Sequence, residues 1–392
     1  MSNFKDEKVA VLTHYHNSIN YGGLLQAYAL IKALAAQGIR AEQISFDLTQ
    51  LRAFAQNGNE TQQSVKKSII SRIFARIEYL FECRFFSKYK SVKLIKRNEN
   101  FKCFRDSIPH TEKTYNSKNI GEVNKKYDVF ITGSDQVWSF EWFSSAFFLD
   151  FAEKDKKKLA YAASTGKSDF TNDEKEYLKN VLSVFDGISV RESDLTDSLK
   201  DAGIKNAQWV VDPTLLLTAQ DWDSVAAEKL VNEKYLFCYF LGDDPVLRIL
   251  AKKFARKHNL KLVTIPFANQ SYNKTDFTFG DIKMFDAGPK EFISLIKNAE
   301  YVFTDSFHAS VFSLLYKRQF FVFKRKNGEK MGSRLVSLTS LFECPSHFCY
   351  SDDSFCLEHL EKIEPIDYNK SFQKFNEIKE SSEAFLLSDL QR

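Results

Sequence analysis

Residues Asn298 to Arg334, NAEYVFTDSFHASVFSLLYKRQFFVFKRKNGEKMGSR, limit what this chain can fold into more than any other stretch. The apolar run YVF stops at Thr304, and a four-residue polar turn, Asp305 to His308, follows. Ala309 to Tyr316 then spaces Val311, Phe312, Leu314 and Leu315 to pack inward as a helix, and Gln319 to Phe323 reads as a second buried strand. Strand, helix and strand in so short a span belong to an open α/β sheet. In such sheets ligands sit at the carboxyl ends of the strands, beside helix N-termini whose free N–H groups favour anions. His308 lies at one such end, with Ser306 in the same turn; the next strand ends in Lys324, Arg325 and Lys326, and Arg334 follows. With those strand ends as neighbours, one imidazole and several cations face one cleft, which suits a phosphorylated or carboxylated substrate. The plain alternative makes the cations a solvated loop and His308 a cap or core residue.

The chain has 392 residues, long for one core, so two domains of ordinary size are expected. Its 44% hydrophobic and 27% charged residues match a soluble globular protein, and a net charge of +4 is too mild to call for nucleic acid. The six cysteines contain no CxxC pair, and no signal peptide precedes the first strand; both point to reduced thiols in the cytoplasm. Cys344, His347, Cys349 and Cys356 lie close together, but their spacing fits no usual zinc knuckle, so no metal is expected. No apolar run approaches the ~20 residues of a membrane helix.

From the start of the chain, Lys8 to Thr13 is a buried strand, LLQAYALIKALAAQG a helix closed by Gly38, and Ile39 to Phe46 the next strand. This is the opening of a Rossmann-like domain without GxGxxG, so a dinucleotide site is not supported. Asn20, Tyr21 and Gly22 form a turn that either approaches ligand closely or needs its glycines only for their φ angles. His14 and His16 flank the mouth of the first strand with no spacing rule to give them a role. Ser64 to Asp106 is rich in lysine and arginine interleaved with apolar positions. It reads as a helical insertion packing on its own domain, or as a flap meeting the acceptor or a membrane surface.

Further strands are expected at Tyr127 to Thr132, Leu159 to Ala163 and Gly187 to Val190. The first delivers Gly133, Ser134, Asp135 and Gln136, hydrogen-bonding groups suited to a polyhydroxyl ligand, although Asp135 also suits a helix cap. The last delivers Arg191, which can hold a carboxylate or phosphate with two parallel bonds, or pair with Glu192. Trp209 to Leu217 (WVVDPTLLL) reads as a strand, a proline turn and the crossing to a second αβ series. That series runs through strands at Tyr235 to Leu241 and Leu260 to Ile265 to the opening stretch, and Phe372 to Leu390 is a last helix folding back across the first domain. The expected organisation is a first domain over residues 1–215, a second over 216–365 and a closing helix over 366–392, two Rossmann-like halves across a cleft in a GT-B-like arrangement.

Four blocks carry a resemblance to a known family: NYGG at Asn20, GSDQVW at Gly133, SVRE at Ser189 and SFHASVFSLLYKRQFFVFKRK at Ser306. Together they closely resemble the motifs of the polysaccharide pyruvyl transferases, whose members commonly have Gly-Thr where this chain has Ala309 and Ser310. The resemblance implies an enzyme that moves pyruvate from phosphoenolpyruvate onto two hydroxyls of a sugar, as a ketal in a cell-surface polysaccharide precursor. It implies a lipid-linked acceptor met at the inner face of the membrane, no cofactor beyond the donor substrate, and no metal. On this reading His308 supplies a proton or steadies the leaving phosphate, Asp135 orients or deprotonates the sugar hydroxyl, and Arg191, Lys324, Arg325 and Arg334 bind the anionic donor. The competing readings are a GT-B glycosyltransferase with its cations on a diphosphate, and a non-catalytic sugar- or phosphate-binding protein.

Overall fold

The structure, a computed structural model, describes residues 7–50, 92–267, 274–325, 332–350 and 357–391. Two parallel sheets of six strands each carry the fold. The first is built from β1 (Val9–Leu12), β2 (Ala41–Gln43), β3 (Val129–Thr132), β4 (Lys157–Ala163), β5 (Gly187–Val190) and β6 (Ala207–Trp209). Its spatial order is β2-β1-β3-β4-β5-β6, and Val9 sits opposite both Ala41 and Val129. The second holds β7 (Tyr235–Tyr239), β8 (Lys261–Thr264), β9 (Ile282–Lys283), β10 (Tyr301–Thr304), β11 (Gln319–Phe323) and β12 (Phe348–Cys349), in the order β12-β11-β10-β7-β8-β9. In each sheet the strand order reverses once, between β1 and β3 and between β7 and β10. Ligands of doubly wound sheets bind outside the strand ends at such points.

The strands form where apolar runs are continuous, because helices cover both faces and leave no solvent side for polar alternation. VAVL, VFIT and the last four residues of FVF-containing β11 are wholly buried. Around the first sheet pack α1 (Tyr21–Ala36), α2 (residues 92–106), α3 (Asn172–Leu182) and α4 (Ser193–Asp201). Around the second lie α5 (Ala219–Asp223), α6 (Pro245–Lys257), α7 (Pro289–Lys297), α8 (Phe307–Leu315), α9 (Ser333–Leu341) and α10 (Leu357–Glu361). Thr171 caps α3 through a reciprocal pair with Glu174, and Asp244 caps α6 ahead of Pro245.

One apolar core runs from the first sheet into the second. Tyr21 of α1 stacks on Phe292 of α7 at 4.8 Å between ring centroids, and its hydroxyl donates to the Ala287 carbonyl at 2.6 Å. Trp222 meets Phe312 edge-on at 4.9 Å. The closing helix α11 (Tyr368–Gln391) straddles both halves. Phe375 stacks on Phe342 of the second half, whereas Ser382 Oγ accepts from the Val211 N–H and Gln208 donates to Ser381 Oγ on the first.

Several boundaries differ from expectation. The strand expected over Ile39 to Phe46 keeps only Ala41–Gln43: Gln43 is the last residue paired with β1, opposite Val11, and beyond it Phe46 bridges to Tyr115. The strand expected from Trp209 ends there; Val210 and Val211 are buried, and Pro213 starts a short 3-10 turn whose first N–H is satisfied by Asp212. The closing helix begins at Tyr368, four residues before its apolar period becomes visible. The two-residue strands β9 and β12 were too short to read. Of the basic insertion, residues 64–91 lie outside the described part. In α2 the apolar face packs inward through Phe101 and Phe104, and the Arg97 guanidinium lies over the Tyr21 ring. No helix among the described residues is long and apolar enough to cross a membrane.

Candidate functional site

At the reversal point of the first sheet, the chain leaving β3 is pulled against β1. Thr13 Oγ1 donates to the Ser134 carbonyl at 2.9 Å and accepts from Gln26 Nε2 at 2.9 Å. Gln26 Oε1 in turn accepts from the Ser134 N–H at 3.1 Å, so one glutamine inside an apolar helix fixes the whole turn. Gly133 has φ 120°, and a Cβ there would lie 2.1 Å from the Tyr161 carbonyl oxygen, which only glycine avoids. Ser134 and Asp135 are thereby aimed at one cluster.

The centre of that cluster is Arg191, at the end of β5 and only 4% exposed. Its Nε donates to Glu192 Oε1 at 3.0 Å, and its Nη1 lies 3.2 Å from Asp212 Oδ2 and 3.6 Å from Asp135 Oδ1. The guanidinium sits 4.6 Å from the centre of the Phe307 ring. Asp212, just past β6, is held on every side: Oδ1 accepts from the Thr214 N–H and hydroxyl at 3.0 and 2.6 Å, and Oδ2 accepts from Ser134 Oγ at 3.0 Å. His308 enters from the second sheet on the first turn of α8, with Nε2 3.7 Å from Asp212 Oδ2. The other side of its ring lies against Gly22, where a Cβ would fall 1.9 Å from Nδ1. An imidazole from one domain is thus seated between a carboxylate and a glycine of the other.

At the reversal point of the second sheet, Asp305 joins three strand ends. Its Oδ1 and Oδ2 accept from the N–H groups of Leu241 and Gly242 at 2.7 and 2.8 Å. Arg325 lies 3.3 Å from Oδ2 and donates through Nη2 to the Asp305 carbonyl.

The electrostatics follow from burial and these contacts. Burial works to raise Asp212 and Asp135, but His308 and Arg191 outweigh it at Asp212, and Arg191, His308, His14 and Arg334 outweigh it at Asp135. Both carboxyls are held below the usual aspartate range and stay ionised. Burial also lowers His14, against the pull of Asp135, and keeps it neutral. Arg334 is lowered to about 10 by burial, with Arg191 and Arg325 pushing the same way and Asp135 and Glu192 opposing. Five buried atoms in this region have no hydrogen-bond partner: His14 Nε2, Arg191 Nη2, Glu192 Oε2, His308 Nε2 and Arg334 Nε. Unsatisfied buried groups are rare in folded chains, and a catalytic role or a bound water or ion is among the reasons a fold keeps one.

The expected residues therefore divide. His308, Asp135, Ser134, Arg191 and Gly22 come together. Arg191 is not the open clamp its strand end suggested, because two of its three nitrogens already serve three carboxylates. Asn20 spends its side chain capping α1, accepting from the Gly22 and Gly23 N–H groups. Tyr21 is in the interdomain core, and Ser306 caps α8 by accepting from the Ala309 N–H. Lys324 turns outward over the Tyr350 ring. Gln136 lies beside Gly166 in the loop after β4. His347, which lies near Cys344 and Cys349 along the chain, has its ring nitrogens on the carbonyls of Phe320 and Glu364; Cys356 lies outside the described residues. A cavity of about 490 Å³ lined by Tyr28, Lys32, Leu217 and Glu383 holds none of the charged cluster. Sequence reasoning missed Asp212 and Gln26. The signals were an acid before proline after an apolar run, and a lone amide within LLQAYAL.

A sequence model of the polysaccharide pyruvyl transferases matches residues 20–327. The chain belongs to the polysaccharide pyruvyl transferase family. The match covers Gly22, Asp135, Arg191, Asp212 and His308, and stops short of Arg334. No curated protein matches the sequence at a significant level. Among solved structures, the UDP-GlcNAc 2-epimerase of Methanocaldococcus jannaschii is similar with a TM-score of 0.51 at 14% identity, over 95% of this chain and 99% of that one. The UDP-N-acetylglucosamine 2-epimerase of Rickettsia bellii is similar with a TM-score of 0.51 at 10% identity, over 98% and 97%. At such identities the likeness is of fold alone: two parallel-sheet α/β domains of the GT-B type.

Proposed function

We propose that this transferase-family protein moves the pyruvyl group of phosphoenolpyruvate onto two hydroxyls of a sugar in a cell-surface polysaccharide precursor. The observation that carries the reading is the buried His308 Nε2, which has no hydrogen-bond partner and faces Asp212 beside Arg191 where the two domains meet. The chemistry needs a proton at the methylene carbon of the donor, and a positioned imidazole at the junction of donor and acceptor sides is suited to give it. Protonation makes the methyl group and leaves cationic character at the adjacent carbon. A sugar hydroxyl adds there, forming the first C–O bond. The C–O bond to phosphate then breaks, inorganic phosphate leaves, and the second hydroxyl forms the other C–O bond of the ketal. Of the two hydroxyl protons, one replaces the proton given to the methyl group and the other leaves with phosphate. Asp135 is too firmly ionised to be a strong base, so it orients a hydroxyl rather than taking its proton. The acceptor on this reading is a lipid-linked saccharide met at the cytoplasmic face of a membrane.

The test is incubation of purified protein with a lipid-linked saccharide extract and either phosphoenolpyruvate or UDP- and GDP-sugars, with phosphate release and product mass as readouts. Phosphoenolpyruvate alone should support an acceptor mass gain equal to a pyruvyl ketal. His308→Ala should lower turnover by about 10²- to 10⁴-fold with unchanged circular dichroism. Consumption of a nucleotide sugar without phosphoenolpyruvate would replace this reading with glycosyl transfer.

A further inference from the structure

Gln26 is fully buried in α1, between Leu25 and Ala27 in a run that is otherwise apolar. A leucine there would bury apolar surface with no hydrogen bonds to satisfy, so the amide calls for an explanation. Both of its N–H bonds and its oxygen are in use. Nε2 donates to Thr13 Oγ1 at 2.9 Å and to the Gly23 carbonyl at 2.8 Å, and Oε1 accepts from the Ser134 N–H at 3.1 Å. Two of those three bonds lead to His308. Gly23 follows Gly22, whose backbone is one wall of the imidazole's seat, with room for no Cβ beside Nδ1. Ser134, also fully buried, donates its hydroxyl to Asp212 Oδ2 at 3.0 Å. That same oxygen faces His308 Nε2 at 3.7 Å as the other wall.

His308 arrives on α8 of the second half, and its Nε2 has no hydrogen-bond partner. The orientation of the ring is therefore set by the shape of a seat that belongs to the first half. The two walls of that seat are joined by one bridge of hydrogen bonds, from the Gly23 carbonyl through the Gln26 amide to the Ser134 peptide, and on through the Ser134 hydroxyl to Asp212. Thr13 braces it, its hydroxyl accepting from Gln26 and donating to the Ser134 carbonyl at 2.9 Å. A satisfied polar network inside a protein is rigid and specifies a single arrangement. We infer that Gln26 is a positioning residue for the His308 imidazole, acting on the ring only through Gly23 and Ser134. It fixes the separation of the two walls, and with it the direction in which the imidazole points.

A misplacement of about 1 Å at a reacting group costs about 10²-fold in rate. The kinetic consequence rests on the proposed pyruvyl transfer, whereas the placement of the ring is read without it. The test compares the full-length wild type with Gln26→Met, Ser134→Ala, His308→Ala and the double variant Gln26→Met/His308→Ala. Methionine is close to glutamine in length and flexibility but makes none of the three bonds. Gln26→Met should lower kcat with phosphoenolpyruvate about 10- to 100-fold. In the His308→Ala background the same substitution should cost less than about threefold, because residues that act as one unit are not additive. A glutamine that only stabilised the fold would cost the same in both backgrounds. In NMR spectra of protein with ¹⁵N-labelled histidine, the His308 ring signals, assigned by their loss in His308→Ala, should move in Gln26→Met. They should also move in Ser134→Ala, which keeps the bonds of Gln26 and cuts only the link to Asp212. An equal loss in both backgrounds overturns the inference, and so do unmoved His308 signals. If Gln26→Met does not fold, Ser134→Ala decides by the same cycle and the same signals. Moved signals in a protein that consumes no phosphoenolpyruvate keep the positioning role and remove the proposed transfer. Phosphoenolpyruvate turnover with an additive cycle does the reverse.

Discussion

At the scale of single residues, the site depends on how tightly His308 is seated. Its ring lies between the Asp212 carboxylate and the backbone of Gly22, where even one added methyl group falls 1.9 Å from Nδ1. Gly22→Ala must therefore displace the imidazole or the start of α1, at a cost of about 1–3 kcal/mol for overpacking. Turnover should fall at least tenfold, with a fall in thermal midpoint of only a few degrees. Wild-type turnover in a folded Gly22→Ala protein would mean that His308 needs no exact seat. The same scale corrects the role of Arg191. Its Nε and Nη1 are committed to Glu192, Asp212 and Asp135, so it organises three carboxylates before any ligand arrives. That arrangement follows from burial, because a guanidinium charge taken out of water needs counter-charges close by.

At the scale of elements, α1 and α11 hold the halves in register. Tyr21 is the second residue of the NYGG turn, yet it spends its ring on Phe292 and its hydroxyl on Ala287 of the other half. Tyr21→Phe keeps the stacking and removes one hydrogen bond, so it should cost about 1 kcal/mol in urea unfolding and leave KM for the donor unchanged. A rise in KM would return Tyr21 to the ligand. In α11, Phe385 and Leu386 are buried on the first half and Phe375 on the second. The helix is therefore part of the core rather than an appendage. Its start at Tyr368 was not legible because Tyr368 contacts the Arg318 carbonyl, a partner 50 residues away.

At the scale of the molecule, buried carboxylates tie stability to pH. Asp212 and Asp135 are depressed in the folded state relative to the usual 3.8, so their contribution is present above about pH 4. It is lost as pH falls from there through the depressed folded values, where the unfolded chain binds the extra protons. Unfolding free energies from urea titrations between pH 2 and 6 should decline below pH 4, by up to about 1.4 kcal/mol per pH unit for each such group. Asp212→Asn should flatten that slope. An equal slope in the variant would show that Asp212 is not held ionised by the fold.

The sequence by itself determined the α/β class, most strand positions and the family motifs, because buried parallel strands and amphipathic helices are written in local apolar spacing. It also named His308, Asp135 and Arg191, since each stands at the end of such a run. The tertiary structure alone decided which of these residues meet. Asp212 and His308 lie 96 positions apart and in different halves, and only the packing of α1 against α7 and α8 sets them 3.7 Å apart. The same packing decided that Tyr21 is core. Charge pairing and desolvation depend on distances through space, and a one-dimensional pattern records only distances along the chain.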